Sequence, residues 1–326
     1  MSTPNVENYV LGRGSLYWAP FDELTSSYKG ERHLGNATEV SLTANVTRLD
    51  HFSSMSGLKS KDKSAVSQIA PQLSFTLEEF ESENWKMLVY GTSEDVVQAA
   101  ADEVSVTIAS PEVGRYYELG KLSIQTKRVT IGTVTGGPFQ AAETITGGTS
   151  SATAKVLAVG AGYLLVAVLS GTFTAAETIT GGTSTASAPL TSLPTAVSGL
   201  VIAKSGSTTY TATTDYIVDA RTGRFYITEA STITGSLTVT FGCAATTYTR
   251  IKGLTALSVS GKLRFVSDNP EGGNYELEAW KCQVAPNGDT GLISDDWANM
   301  KFQADILRDA TAHPDSPYLD LKVFAS

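Results

Sequence analysis

Strict alternation of apolar and polar residues is the feature that most restricts this chain. In EVSLTANVT, Val40, Leu42, Ala44 and Val46 alternate with Ser41, Thr43, Asn45 and Thr47. In PQLSFTLEE, Leu73, Phe75 and Leu77 alternate with Gln72, Ser74 and Thr76. A period of two sends successive side chains to opposite faces, so each segment is predicted as a strand with one buried face. Two such strands in succession predict an antiparallel pair. The stretch between them, Arg48 to Pro71, is too long for a tight turn and is predicted as a polar loop. Loops of that length inside compact domains are usually functional or disordered.

The next segment, LEEFESENWKMLVYG, changes period. Phe80, Trp85, Leu88 and Val89 fall on one helical face. Glu78, Glu79, Glu81 and Glu83 crowd its start, where the helix dipole favours negative charge. Gly91 stands where a C-terminal cap is expected. After this short helix the strand pattern returns. Leu122 and Ile124 alternate with Ser123 and Gln125. DYIVDARTGRFYI predicts two strands, with Ile217 and Val218 before a turn at Ala220 to Gly223 and Phe225 and Ile227 after it. NYELEAWKCQVA is predicted as one long strand with Glu276, Glu278, Trp280, Cys282 and Val284 on one side. Met300, Phe302, Ala304 and Ile306 mark another, and Leu319, Leu321 and Val323 the last. The expected class is all-β with one short helix.

An internal repeat interrupts this pattern. FQAAETITGGTSSATAKV begins at Phe139 and FTAAETITGGTSTASAPL at Phe173, an offset of 34 residues. Ala141 to Ser150 and Ala175 to Ser184 are identical. Each copy holds short β-branched runs and a Gly-Gly turn, which predicts a few short strands. One copy alone buries little surface, so the two are expected to pack together. The repeat is almost free of Lys, Arg and Asp, unlike its flanks. It is therefore read as an insertion over residues 131–195, between a first part at 1–130 and a second at 196–326. The stretch 196–246 is compatible with either the insertion or the second part.

Bulk properties narrow the function. With 17% charged residues and abundant Thr, Ser, Gly and Ala, the chain suits a β-rich structural protein better than a helical enzyme. Its net charge of −9 argues against binding DNA through a general basic surface. Cys243 and Cys282 are far apart in sequence; the pair is compatible with a disulfide, and the favoured reading is two buried free thiols, consistent with folding in a cytoplasm. MSTPNVENY lacks the basic start and apolar core of a signal peptide. Apolar runs such as Tyr163 to Leu169 are too short to span a bilayer.

No catalytic constellation stands out. His33, His51 and His313 are isolated, and there is no CxxC or HExxH, which leaves a zinc site little support. Gly12-Arg-Gly14 lacks the third glycine of a dinucleotide fingerprint and precedes a strand. Ser56 to Ser60 looks like the end of a phosphate loop without its upstream glycine. Asp289, Asp295 and Asp296 are spaced unlike any standard calcium loop and read as a solvated acidic loop. Glu276 and Glu278 form a carboxylate pair, but no sugar cleft is suggested and the plain reading is a polar sheet face. No cofactor, metal or catalytic residue is expected. From Arg48 to Lys63, Arg48, Lys59, Lys61 and Lys63 face Asp50 and Asp62, a local net charge of +2. This is either an ordinary solvated loop or an arm that reaches an acidic neighbour.

VLGRGSLYW near the start, Leu34-Gly-Asn36, the loop-bearing hairpin, the helix ending MLVYG and the final ADILRDATAHPDSPYLDLKVF carry a resemblance. Over residues 8–122 and 248–324 the chain resembles the major tail tube protein of bacteriophages with long, non-contractile tails. The resemblance implies a β-sandwich subunit with a flanking helix. Six copies would close into a ring whose inner sheets join as one barrel, and rings would stack head to tail. Ring closure pairs open strand edges, and a heterologous stacking contact builds an open filament. Arg48, His51, Lys59, Lys61 and Lys63 would form the inter-ring contact arm. Glu276 and Glu278 are candidates to face the lumen, through which DNA would pass without specific binding. Tape measure, tail terminator and baseplate or tip proteins are the partners implied, and a virion tail assembled in the host bacterial cytoplasm is the implied location. The repeat insertion would project outward, where it could touch the host surface or glycans. A β-repeat adhesin or carbohydrate-binding surface protein is the alternative, with the repeat as its working part. A polysaccharide-degrading enzyme is a third class, which would need a carboxylate pair in a cleft.

Overall fold

The computed structural model describes residues 9–55 and 57–324. Met1–Asn8, where most of the signal-peptide reading falls, lie outside the described residues, as does Ser56 of the phosphate-loop-like run. The protein is nearly all β: 54% of the described residues lie in strands, with one short helix among them and a sheet curled into a half-barrel. It divides into two compact units. One holds Met1–Glu94 and Thr249–Ser326, and the other holds Asp95–Tyr248. The insertion is thus larger than the repeat suggested: residues 95–130 and 196–246 belong with the repeat unit. Their own strands alternate like those of the first unit, so composition gave no boundary there. The two crossing segments, Thr92–Gln98 and Thr246–Lys252, pair as a two-stranded ribbon.

The first unit is built on a nine-stranded sheet. Its order runs Ser27–Tyr28, Gly14–Asp22, Val259–Ser267, Tyr275–Pro286, Met300–Ile306, Ser60–Leu77 and Ala37–Ser53, every pair antiparallel. Arg32–His33 adds to Gly14–Asp22, and Leu319–Val323 adds to the first half of Tyr275–Pro286. In Ser60–Leu77 the alternating residues of the inner half are buried as their period requires, whereas Leu42, Ala44 and Val46 of Ala37–Ser53 are exposed. Leu73, Phe75 and Leu77 pair in register with Ala304, Phe302 and Met300, and all six are buried. Phe75 and Phe302 stack with ring centres 5.2 Å apart. Leu16, Trp18, Leu263 and Leu277 continue the same core. Glycine is required at Gly261, where a Cβ would stand 2.4 Å from the Trp18 ring.

The helix spans only Ser82–Leu88, with Glu81 as its N-cap and Glu83 in its first turn. Glu78 and Glu79 precede it and instead hold the LGN segment. Asn36 donates its side-chain amide to Glu78 (2.7 Å) and its backbone N–H to Glu79 (3.1 Å). Asn84, not Trp85, faces inward with Met87. Its amide donates to the carbonyls of Leu34 (3.1 Å) and Glu79 (2.9 Å), and its oxygen accepts from Arg32 (2.8 Å). The left-handed residue at the helix end is Tyr90 at φ 46°, and Gly91 donates back to the Lys86 carbonyl at 2.9 Å. This is the six-to-one bond of a Schellman cap with the special φ one residue earlier than expected.

In the second unit an eleven-stranded sheet carries the repeat at one end. Thr144–Gly147 pairs with Thr178–Gly181, and Thr146 lies opposite Thr180, its own counterpart 34 residues later. Ile145 faces Gly181 and Gly147 faces Ile179, so the two copies are related by a local two-fold axis. Each copy clasps the other. Glu177 accepts N–H groups from Thr149 (3.1 Å) and Ser150 (2.9 Å) of the first copy, and Glu143 accepts those of Thr183 (3.2 Å) and Ser184 (2.9 Å) of the second. Gly147 and Gly181 leave room for this, since a Cβ on either would meet the carboxylate at 2.5 or 2.6 Å. Ile145, Val156, Val166, Phe173 and Ile179 fill the shared interior, as the packing of two incomplete halves requires. The strands Tyr216–Asp219 and Arg224–Ile227 pair across the expected turn and join a separate core around Phe225, Ile227 and Phe241.

Candidate functional site

The segment Arg48 to Pro71, expected as a polar loop, is mostly strand. Ala37–Ser53 and Ser60–Leu77 form one long hairpin, paired from Ala37↔Leu77 to Ser53↔Ser60. Only Gln72–Leu77 of it has a second neighbour, Met300–Ile306. From Ser60 to Pro71 the two strands pair with nothing but each other. At about 3.3 Å per residue this ribbon extends about 40 Å beyond the adjoining strand. The sequence concealed it because the ladder slips at Thr47/Arg48 and His51/Phe52, and each slip inverts the alternation.

The ribbon has no core of its own. Val40, Leu42, Ala44 and Val46 stand opposite Phe75, Leu73, Pro71 and Ile69, so the apolar face of the core continues outward along the arm. There it is exposed: Val46, Phe52, Val66 and Ile69 are each about half accessible, and Leu49 on the opposite face is more so. Arg48 pairs with Val66 and His51 with Lys63 in the ladder. Part of the expected basic cluster is neutralised. Lys61 forms an ion pair with Asp50 at 2.8 Å, and His51 Nδ1 lies 2.6 Å from Asp62. Hydrogen bonds from Lys61 and Ser64 hold the Asp50 carboxyl below the usual carboxylate range. Lys59 and Lys63 make no ion pair among the described residues, and they carry the arm's open positive charge.

Glu276 and Glu278 are not open negative groups. Glu278 accepts from Lys262 Nζ (2.6 Å) and Arg264 Nη2 (2.8 Å). Glu276 accepts from Arg264 Nη1 and, at 3.3 Å, from Lys322. Glu31 completes the cluster at 3.1 Å from both Lys262 and Arg264. Burial pushes the Glu31 carboxyl up, but the two cations outweigh it and hold it below its ordinary value. Three carboxylates thus meet three cations, and the patch is close to neutral. Nor do the two glutamates share a face with Cys282 and Val284. The pairing passes from Leu263↔Ala279 to Gly261↔Cys282, a bulge at Trp280–Lys281 that reverses the phase. Cys282 and Val284 therefore join Leu277 and Ala279 in the core, and the glutamates lie opposite.

Among the described residues no group of three or more His, Cys, Asp or Glu side chains is placed to hold a metal. Cys243 and Cys282 are free and buried. Burial pushes the Cys282 thiol up to about 12. No helix of the described residues is long and apolar enough to cross a membrane.

These features define an all-β protein of two units, the first bearing a long unsupported hairpin. The family model described as "Protein of unknown function UCP028589" matches residues 9–146 and 134–320, most of the chain, and the protein belongs to that family. A comparison with curated proteins finds no match.

Proposed function

We infer that this protein is a structural subunit that polymerises into a tube, as the major tail tube protein of long, non-contractile phage tails does. Copies close into hexameric rings, the rings stack head to tail, and the hollow product conducts DNA from the virion into the host. Assembly takes place in the host bacterial cytoplasm, and tape measure, terminator and tip proteins meet the tube at its bore and ends. The role is structural, with no reaction catalysed.

One observation carries this reading: the arm. A lone two-stranded ribbon is marginally stable in water at best, and this one exposes Val46, Leu49, Phe52, Val66 and Ile69 along its length. An ordered partner surface would remove that apolar area from water. Ala37–Ser53 is also a sheet edge of 17 residues with one side unpaired. Such an edge is a hazard unless something pairs or covers it, and ring closure by a neighbouring copy does so. The neutralised Glu31, Glu276 and Glu278 patch also fits a bore that neither binds nor strongly repels a polyanion.

Negative-stain electron microscopy of the purified full chain, across a concentration series, tests this. Hollow filaments or stacked rings are expected. A protein that stays monomeric at every concentration and binds glycans instead would favour the surface-adhesin reading.

A further inference from the structure

If the arm seeks a second copy, the surface it meets must exist on the same chain, and the opposite end of its own sheet offers one. The strand Ser60–Leu77 begins at the arm tip and ends where Leu77 pairs with Met300. The segment leading into Met300, Asn287–Asn299, therefore lies at the far end of the sheet. Eighteen residues of strand separate the two ends, about 60 Å, so a copy cannot bring its own tip to its own loop.

The two ends are chemically complementary. In the loop, Leu292, Ile293 and Trp297 are 77%, 96% and 86% exposed. Asp289, Asp295 and Asp296 are exposed beside them, and their carboxylates make no ion pair among the described residues. An open Trp with aliphatic neighbours and a charged rim is the composition of a binding hot spot. The arm tip presents Phe52, half exposed, and Met55, almost fully exposed, with the open cations Lys59 and Lys63. Apolar groups and opposite charges thus stand at opposite ends of one sheet.

We propose that the arm tip of one copy docks on the Asn287–Asn299 loop of the next, with Phe52 and Met55 against Ile293 and Trp297, and Lys59 and Lys63 facing Asp295 and Asp296. The contact is heterologous: each copy uses its tip on one neighbour and its loop on another. Repetition of such a contact generates a filament with a direction. This rests on the self-association reading above and adds which surface receives the arm.

Charge exchange tests the pairing. Lys59→Glu with Lys63→Glu, and separately Asp295→Lys with Asp296→Lys, are each expected to raise the critical concentration for filament growth by about tenfold or more. All four changes in one chain are expected to restore growth. Matching circular dichroism melts establish that the variants fold. A second variant pairs Lys63→Cys with Asp295→Cys; oxidation of pelleted filaments should give a ladder of cross-linked multimers, since Cys243 and Cys282 are buried. Wild-type growth in both charge-reversal variants overturns the docking. So does a fourfold variant as defective as its parents, or the absence of a ladder, while wild-type filaments form. Absence of wild-type filaments overturns the self-association reading itself, and the docking with it.

Discussion

Replacing Glu177 with Gln keeps the side chain's shape and removes its charge at the point where one repeat grips the other. The native carboxylate accepts N–H groups from Thr174 (2.7 Å), Ser150 (2.9 Å) and Thr149 (3.1 Å), and the Ser150 hydroxyl at 2.8 Å. Burial pushes this carboxyl up, but those donors outweigh burial and bring it from 4.5 down to about 2. At 1.36 kcal/mol per pH unit, the difference is worth roughly 2–3 kcal/mol once screening at a loop is allowed for. Glutamine can turn its oxygen to some of these donors, but its amide then meets the others, donor against donor. For a unit of this size about 2–4 °C accompanies each kcal/mol, so E177Q should melt about 5–10 °C lower at pH 7. A folded-state value below the unfolded one gives stability that is complete above about pH 4.5 and is lost as pH falls towards about 2. The gap between wild type and E177Q should therefore narrow by more than half by roughly pH 3. Glu143, placed equivalently on Ser184 and Thr183, should respond in the same direction. Differential scanning calorimetry across pH checks all three statements. A melting point within 1 °C of wild type at pH 7, or a gap that does not change with pH, would refute the clasp.

Leu77 is fully buried between Ala37 and Met300, so Leu77→Ala should destabilise the first unit by about 2–5 kcal/mol; a denaturant midpoint like that of wild type would show that the site collapses freely. The folded protein should react with a thiol reagent at pH 8 far more slowly than the unfolded chain, because Cys282 is buried with its thiol pushed up to about 12; prompt stoichiometric labelling under native conditions counts against this packing. Replacing residues 95–248 by a short Gly-Ser linker should leave filaments thinner but intact, and loss of all assembly would place that unit in the wall. Filament growth should slow on raising salt to about 0.5 M, where exposed charges are screened within a few ångströms; salt-independent kinetics would remove charge from the assembly step.

Much of the first unit could be read from the chain alone. Met300, Phe302, Ala304 and Ile306 are buried on one face as their period demands, and Leu73, Phe75 and Leu77 likewise. The pair Tyr216–Asp219 and Arg224–Ile227 was equally plain, because short strands flank a turn. The repeat announced that two like pieces would pack together, and it is seen as a local two-fold pair. In each case a buried face or a duplicated sequence leaves its mark on the order of residues.

The arm left no such mark. Both its faces are open in one copy, and its two slips of register break the alternation, so Arg48 to Pro71 reads as loop. The bulge at Trp280–Lys281 likewise moves Cys282 into the core and Glu278 out of it. Neutralisation of Glu276 and Glu278 depends on Lys262 and Arg264 of the preceding strand and Lys322 of the last one, which the ladder registers set beside the carboxylates. The sequence by itself determined the class of fold, most strands and the doubling of the repeat, since these follow from local period and identity. Only the tertiary structure decided the arm, the extent of the second unit, the reciprocal glutamate clasps and the opposed charges at the two sheet ends. Each of those depends on which strand lies beside which, and in what register.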